Sequence, residues 1–227
     1  MLHFTAHKLV FLEVPKTATS SIVEECLSRS PELVRNRLYL TSDKFEDLDT
    51  HATSRDIRSL LDSSQSDVKI FAFIRNPLEL ICSKYSFYRS GRAYHQLLDP
   101  AFHASLRHKM NVLLARALPL IVYALLIPYK SSSYFILDSK GKVNVDILFD
   151  YAIVDHACSM IFTQMYGIYE DFRLRYANQS NSSSYLCNSL LKYLLGIVVK
   201  TRLRRDYALW KKVESSQGML VIDGNSK

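Results

Sequence analysis

Residues 15–21 read Pro-Lys-Thr-Ala-Thr-Ser-Ser, and residues 75–83 read Arg-Asn-Pro-Leu-Glu-Leu-Ile-Cys-Ser. The first segment offers one cation, Lys16, and four hydroxyls, on Thr17, Thr19, Ser20 and Ser21. The second offers a guanidinium, Arg75, and the Ser83 hydroxyl eight positions later. Donors of this kind grip phosphate or sulfate, and arginine does so with two parallel hydrogen bonds. His51 lies between the two segments, in Asp-Thr-His-Ala-Thr. Histidine titrates near neutrality, so it is a candidate proton acceptor.

Each anion segment follows an apolar run that reads as a strand, residues 8–14 and 68–74. The second run is nearly continuous, as expected of a central strand covered on both faces. Each segment then enters a helix. Ile22, Val23, Cys26 and Leu27 recur at helical spacing after the first, and Pro77 occupies a first helical turn after the second, where its missing N–H costs nothing. A helix N-terminus presents unpaired N–H groups and the positive end of the dipole, which suits an anion. Taken alone, the first loop reads equally well as a hydroxyl-capped helix with an exposed lysine. Arg75 and Ser83 weigh against that reading, because Ser83 falls nearly two turns into the second helix and can face back toward the first loop. The Walker pattern GxxxxGK[ST] is absent. His51 can instead help to cap a helix near Thr53, where Thr53 or Ser54 precedes Asp56, Ile57, Leu60 and Leu61.

The pair of motifs, PKTATSSI and FAFIRNPLELICSKY, resembles the sulfotransferase superfamily. It is most similar to the Golgi-type carbohydrate sulfotransferases and their short bacterial relatives, whose loops commonly read PKTAGTS and RNPxxRxxSxY. The resemblance implies a P-loop-like three-layer α/β fold with a central parallel sheet flanked by helices. It also implies transfer of a sulfuryl group from 3′-phosphoadenosine 5′-phosphosulfate to a hydroxyl or amine of a carbohydrate or small acceptor. Lys16, Thr17, Ala18, Thr19, Ser20 and Ser21 would hold the 5′-phosphosulfate, and Arg75 and Ser83 the 3′-phosphate. Lys16 would neutralise the leaving phosphate and His51 would act as base, with Glu13 and Glu46 in reserve. Thr19 stands where the family has glycine, and Glu79-Leu80 replaces a basic stretch. Val145-Asp146 and Tyr151 match a later family segment, while Asp150 and Ala152 replace a basic residue and a glutamate. The closing Arg-Asp-Tyr-Ala-Leu-Trp, residues 205–210, resembles a DYELF element.

The chain has 227 residues, 48% of them apolar and 22% charged, with a net charge of +7. That is the make-up of one globular α/β domain, with a basic bias that favours an anionic partner: a nucleotide, a sulfated or acidic glycan, nucleic acid or a membrane surface. Cys26, Cys82, Cys158 and Cys187 are scattered and read as small buried hydrophobes rather than a metal or disulfide framework. No bound metal, no nucleic acid and no transmembrane segment are expected. The compartment expected is the cytoplasm, or the Golgi lumen if an anchor precedes the chain. Residues 117–129 are strongly apolar but too short to span a bilayer, and read as a core helix, or else as one facing lipid or substrate. Residues 91–133 read as helical and as the acceptor region, 132–152 as a hairpin or strand pair turning at Lys140-Gly141, and 214–227 as a frayed tail. Asn178 and Asn181 sit in Asn-X-Ser acceptor sites. Two alternatives stay open: a nucleotide-binding descendant of the fold without turnover, and a P-loop kinase.

Overall fold

The computed structural model describes every residue except 41–43, 50–51, 62–64, 66, 99–105, 128–129, 176–184, 187 and 223–227. His51, Asn178, Asn181 and Cys187 lie outside the described residues. The chain divides into two units: Met1–Arg75, Ser132–Asn178 and Leu209–Lys227 form the first, and Asn76–Ser131 with Gln179–Ala208 the second.

The first unit is built on a five-stranded mixed sheet. In chain order its strands are β1 (Leu2–Phe4), β2 (Leu9–Leu12), β5 (Lys69–Ile74), β6 (Ile147–Asp150) and β7 (Met219–Val221), and they lie side by side in that order. A separate antiparallel pair, β3 (Arg37–Tyr39) and β4 (Phe45–Asp47), precedes β5. The expected parallel sheet is therefore found only at the centre, where β2, β5 and β6 run parallel. Both edge strands are antiparallel. At one edge the connection is a single 3-10 turn, Thr5–His7, closed by Lys8 in the left-handed region, and so short a link only allows reversal. The frayed tail is corrected at the other edge: Met219 and Leu220 pair with Phe149 and Leu148.

Alternation along the strands builds the core. Phe4, Phe11, Phe71, Phe73 and Phe149 occupy one face and pack with Ile22, Val23 and Cys26 of α1 (Thr19–Arg29) and with Ala157 and Cys158 of α8 (Val154–Ser159). Phe11 and Phe71 stack at 5.0 Å between ring centroids, and Phe162 meets Phe71 edge-on at 5.7 Å. Phe162 comes from a π-helical turn, Met160–Met165, that continues α8. Val10, Leu12, Ile70, Ala72 and Leu148, on the opposite face, are also fully buried, as the unbroken apolar runs require. Burial pushes the Cys26 thiol up to about 12 and raises that of Cys158 as well, so both act as packing groups.

A third element, α2 (Ser54–Leu60), starts with a reciprocal cap. The Thr53 hydroxyl accepts the Asp56 N–H, and the Asp56 carboxylate accepts the Thr53 N–H at 2.7 Å. At the other end of α2, Arg58 pairs with Asp146 and donates to the Val68 carbonyl. Asp146 also accepts the Ile70 N–H at 2.7 Å, so this one carboxylate joins α2 to the start of β5 and β6. Residues 132–136, expected as strand, form α7 (Ser132–Ile136). The expected turn is present: Gly141 has φ +79°, and Leu137 bridges Val143.

Among the described residues the second unit is helical, as expected for its part of residues 91–133. It contains α3 (Pro77–Arg89), α4 (Gly91–Leu98), α5 (Leu106–Ala117), α6 (Leu120–Leu126), α9 (Ser189–Arg202) and the first turn of α10 (Arg204–Ser215). Its core gathers Ile81, Cys82, Tyr85, Tyr123, Leu195 and Val199.

Two outcomes test this construction. Asp146→Ala removes the carboxylate that pairs with Arg58 and accepts the Ile70 N–H and is expected to cost about 2–3 kcal/mol in chemical denaturation. The second concerns His3, whose buried imidazole accepts the Tyr39 N–H at 3.0 Å and is pushed down to about 4 by desolvation. The folded ring stays neutral where the unfolded ring, near 6.5, takes up a proton. Its stabilisation is complete above pH 6.5 and drains as pH falls to about 4, by about 3 kcal/mol. His3→Gln should flatten that part of the stability–pH curve, and equal slopes for the two proteins would refute the assignment.

Candidate functional site

The carboxyl ends of parallel strands are where α/β sheets place ligands. Here the ends of β2, β5 and β6 are followed by the Lys16 loop, Arg75 and Tyr151. Leu12 lies opposite Ala72, and Ile74 opposite Asp150, so all three residues emerge at one edge of the sheet.

The loop between β2 and α1 has an unusual backbone. Lys16 has φ +71° and Ala18 φ +60°, while Thr17 between them does not enter the left-handed region. Left-handed residues alternating with ordinary ones turn successive N–H groups toward one side, forming a concavity suited to an anion. The loop achieves this without glycine, at a cost of about 1–2 kcal/mol for each left-handed alanine-like residue. Thr19, which stands in the glycine position of the resembling motif, is the first residue of α1. The backbone demand for glycine falls on Lys16 and Ala18 instead.

The hydroxyls divide into different roles. Thr17 is fully buried, and its hydroxyl donates to the Val14 carbonyl at 2.7 Å. Its proton therefore closes the turn, and what Thr17 has left for an anion is its backbone N–H. Ser20 is exposed, Thr19 is half-buried and Ser21 is buried. Lys16 is half-buried.

Arg75 reaches the loop from the adjacent strand end. Its Nη1 lies 3.5 Å from the Lys16 carbonyl oxygen, and its guanidinium stacks over the Tyr151 ring at 4.3 Å. Tyr151 matches the later family segment but is given no site role by the motifs, and the structure places its ring against Arg75. Its sequence signal is its place in the segment that resembles the later family motif, directly after the run ending in Asp150. Asp150 is itself buried and accepts the Trp210 Nε1–H at 3.0 Å and the Ala152 N–H at 3.0 Å. Both bonds hold the turn that carries Tyr151 beneath Arg75. Ala152 is exposed on that turn.

Ser83 belongs to the second unit, where it is buried on α3. That helix is capped by the Asn76 side chain, which accepts the Leu78 N–H at 3.0 Å, with Pro77 in its first turn as expected.

Of the three candidate bases, His51 lies outside the described residues. Glu13 is buried and held in ion pairs with Arg35, at 2.6 Å, and with the Met1 amino group, at 2.7 Å. Burial alone would raise its carboxyl, but the hydrogen bonds from Arg35 and Met1 outweigh that and hold it below the usual carboxylate range. A carboxylate so stabilised is a poor proton acceptor, so Glu13 is a structural group. Glu46 is exposed on β4, opposite Leu38. Among the described residues no cluster of His, Cys, Asp and Glu is placed to hold a metal ion. A hollow of ≈ 350 Å³ lined by His3, Thr5, Ser30, Glu32 and Tyr39 contains none of the candidate residues.

Comparisons with family models, with curated proteins and with solved structures find no match.

The backbone geometry makes a paired prediction. Ala18→Gly relieves the left-handed strain and, after the entropy that glycine loses, should stabilise the fold by about 1 kcal/mol, read as a rise in Tm of about 2–4 °C. Thr19→Gly, which would recreate the family motif, should instead destabilise by about 0.5 kcal/mol, because it weakens the first turn of α1.

Proposed function

We propose that the chain is a sulfotransferase with a P-loop-like organisation. It would move a sulfuryl group from 3′-phosphoadenosine 5′-phosphosulfate to a hydroxyl of a carbohydrate or small acceptor. The observation that carries this reading is the approach of Arg75 to the carbonyl of Lys16, within a loop whose backbone alternates into the left-handed region just before α1. Arg75 is thereby held at the loop that carries Lys16, and two cationic residues on one loop edge suit a ligand with more than one anionic group.

In the reaction proposed, the acceptor oxygen attacks sulfur and forms the new S–O bond. The bond from sulfur to the 5′-phosphate breaks, and adenosine 3′,5′-bisphosphate leaves with the electron pair. The acceptor proton passes to a base, for which His51 remains the candidate and Glu13 does not. Lys16, beside the helix N-terminus, would offset charge growing on the departing phosphate. Thr17 would contribute through the turn it closes, Ala18, Thr19 and Ser20 through the N-terminal N–H groups of the loop and α1, and Ser21 through its buried position on that helix. Arg75, oriented by Tyr151, would bind a second phosphate.

The test is differential scanning fluorimetry with adenosine 3′,5′-bisphosphate against ATP. The bisphosphate should raise Tm by several degrees at a concentration of about 100 Kd, equivalent to about 2.7 kcal/mol, with little shift from ATP. Lys16→Ala and Arg75→Ala should each abolish most of the shift while folding normally. Transfer of labelled sulfate to a panel of glycans and alcohols then reads turnover. Absence of any shift at millimolar bisphosphate would overturn the proposal, and a shift without transfer would favour the non-catalytic descendant.

A further inference from the structure

The second unit displays an apolar face that its own core does not use. On α9, Leu195, Val198 and Val199 point into the core, while Leu190, Tyr193, Leu194 and Ile197 form an exposed stripe at i, i+3, i+4 and i+7. Leu190 and Tyr193 are each 67% exposed. The same division recurs on α6, where Leu120, Tyr123 and Ala124 are buried and Val122, Leu125 and Leu126 are exposed. It recurs again on α5, where Val112 and Ala115 are buried and Leu106, Met110 and Leu113 are exposed, Leu106 to 77%. Helix α6 packs against both α5 and α9, so the three stripes lie on neighbouring helices. Single exposed leucines are ordinary, but ten apolar side chains in periodic register on three packed helices are not.

Charge identifies the occupant. The segments that make up this unit hold twelve Lys and Arg against three Asp and Glu, a net of +9. The whole chain carries +7, so the sheet unit is left at −2. Neither α5, α6 nor α9 contains an acidic residue. Lys109, Arg116 and Lys200 are exposed and lie about a quarter turn from their stripes, with Arg116 over the Tyr94 ring and Lys200 over the Tyr207 ring. An apolar face bordered by lysine and arginine, with tyrosine among its exposed members, is the pattern of a helix layer lying in a membrane interface. A second copy of this face would set one cationic border against another. Among the described residues no helix is long and apolar enough to cross a membrane, which leaves lying on its surface.

We infer that α5, α6 and α9 form a docking face for an anionic lipid bilayer, with the exposed stripes entering the headgroup region and the flanking lysines and arginines meeting acidic headgroups. This inference is independent of the sulfotransferase reading, since no residue of the Lys16 loop takes part in it.

The test is co-sedimentation of the full chain with vesicles of phosphatidylserine and phosphatidylcholine, with phosphatidylcholine alone as the comparison. The full chain should partition to the mixed vesicles at least about tenfold more strongly, with the excess lost in high salt. A triple variant, Leu113→Ser, Leu125→Ser and Ile197→Ser, places one change on each exposed stripe and should keep its Tm while losing at least about tenfold in partitioning. Lys109→Glu with Lys200→Glu should remove the preference for anionic vesicles. The inference is overturned if the protein stays in the supernatant at low salt, or if it binds both vesicle types equally. It is also overturned if the triple variant binds like the parent, or if sedimentation velocity shows a dimer that the triple variant dissolves while vesicles recover none of the protein.

Discussion

Strands β2 and β5 lie parallel, with Leu9 opposite Lys69 and Leu12 opposite Ala72, and the candidate site depends on that register. It brings Lys16 and Arg75, 59 residues apart in the chain, to the same edge of the sheet. The stacked Phe11 and Phe71 rings hold the two strands on one face. At the opposite edge Asp146 ties the Ile70 N–H and Arg58 together. A slip of one residue would turn every phenylalanine out of the core, so the apolar alternation that stabilises the sheet also aligns the two cations.

Within that frame, local groups are spent on holding the edge in shape. The Thr17 hydroxyl closes the turn onto Val14, Asp150 anchors the Tyr151 turn through Trp210 and the Ala152 N–H, and Tyr151 supports Arg75. The positive φ angles at Lys16 and Ala18 are strain that this packing sustains. Of the five non-glycine residues with positive φ among those described, two, Lys16 and Ala18, fall on the loop that carries the candidate cation.

The two units differ in physical character as well as in secondary structure. The sheet unit buries both faces of its central strands and carries a small net negative charge, while the helical unit carries the positive charge of the chain and leaves apolar stripes on three helices exposed. Composition averaged over the whole chain conceals this, because +7 is the sum of two opposite biases.

Much of the fold was legible in the residues. The apolar runs at residues 8–14 and 68–74 became β2 and β5, the Thr53–Asp56 cap formed as patterned, and Pro77 opened α3, because each depends on local periodicity or on side chains a few residues apart. The edges were less legible. Whether β1 and β7 pair antiparallel, and whether the segment after Glu214 joins the sheet at all, depends on partners distant in sequence. Residues 132–136 have strand-like composition yet form a helix, since tertiary context overrides weak propensity.

The site divides in the same way. The sequence alone determined which residue types could grip an anion, Lys16, Arg75 and the hydroxyls around them, because charge and hydrogen-bonding capacity are properties of a side chain wherever it lies. Only the tertiary structure decided which of them are available and how they are held. It committed the Thr17 proton to Val14, Glu13 to Arg35, and Arg75 to the Lys16 carbonyl and the Tyr151 ring. Such commitments are made between groups brought together by strand register and burial, and neither can be read from one residue and its neighbours.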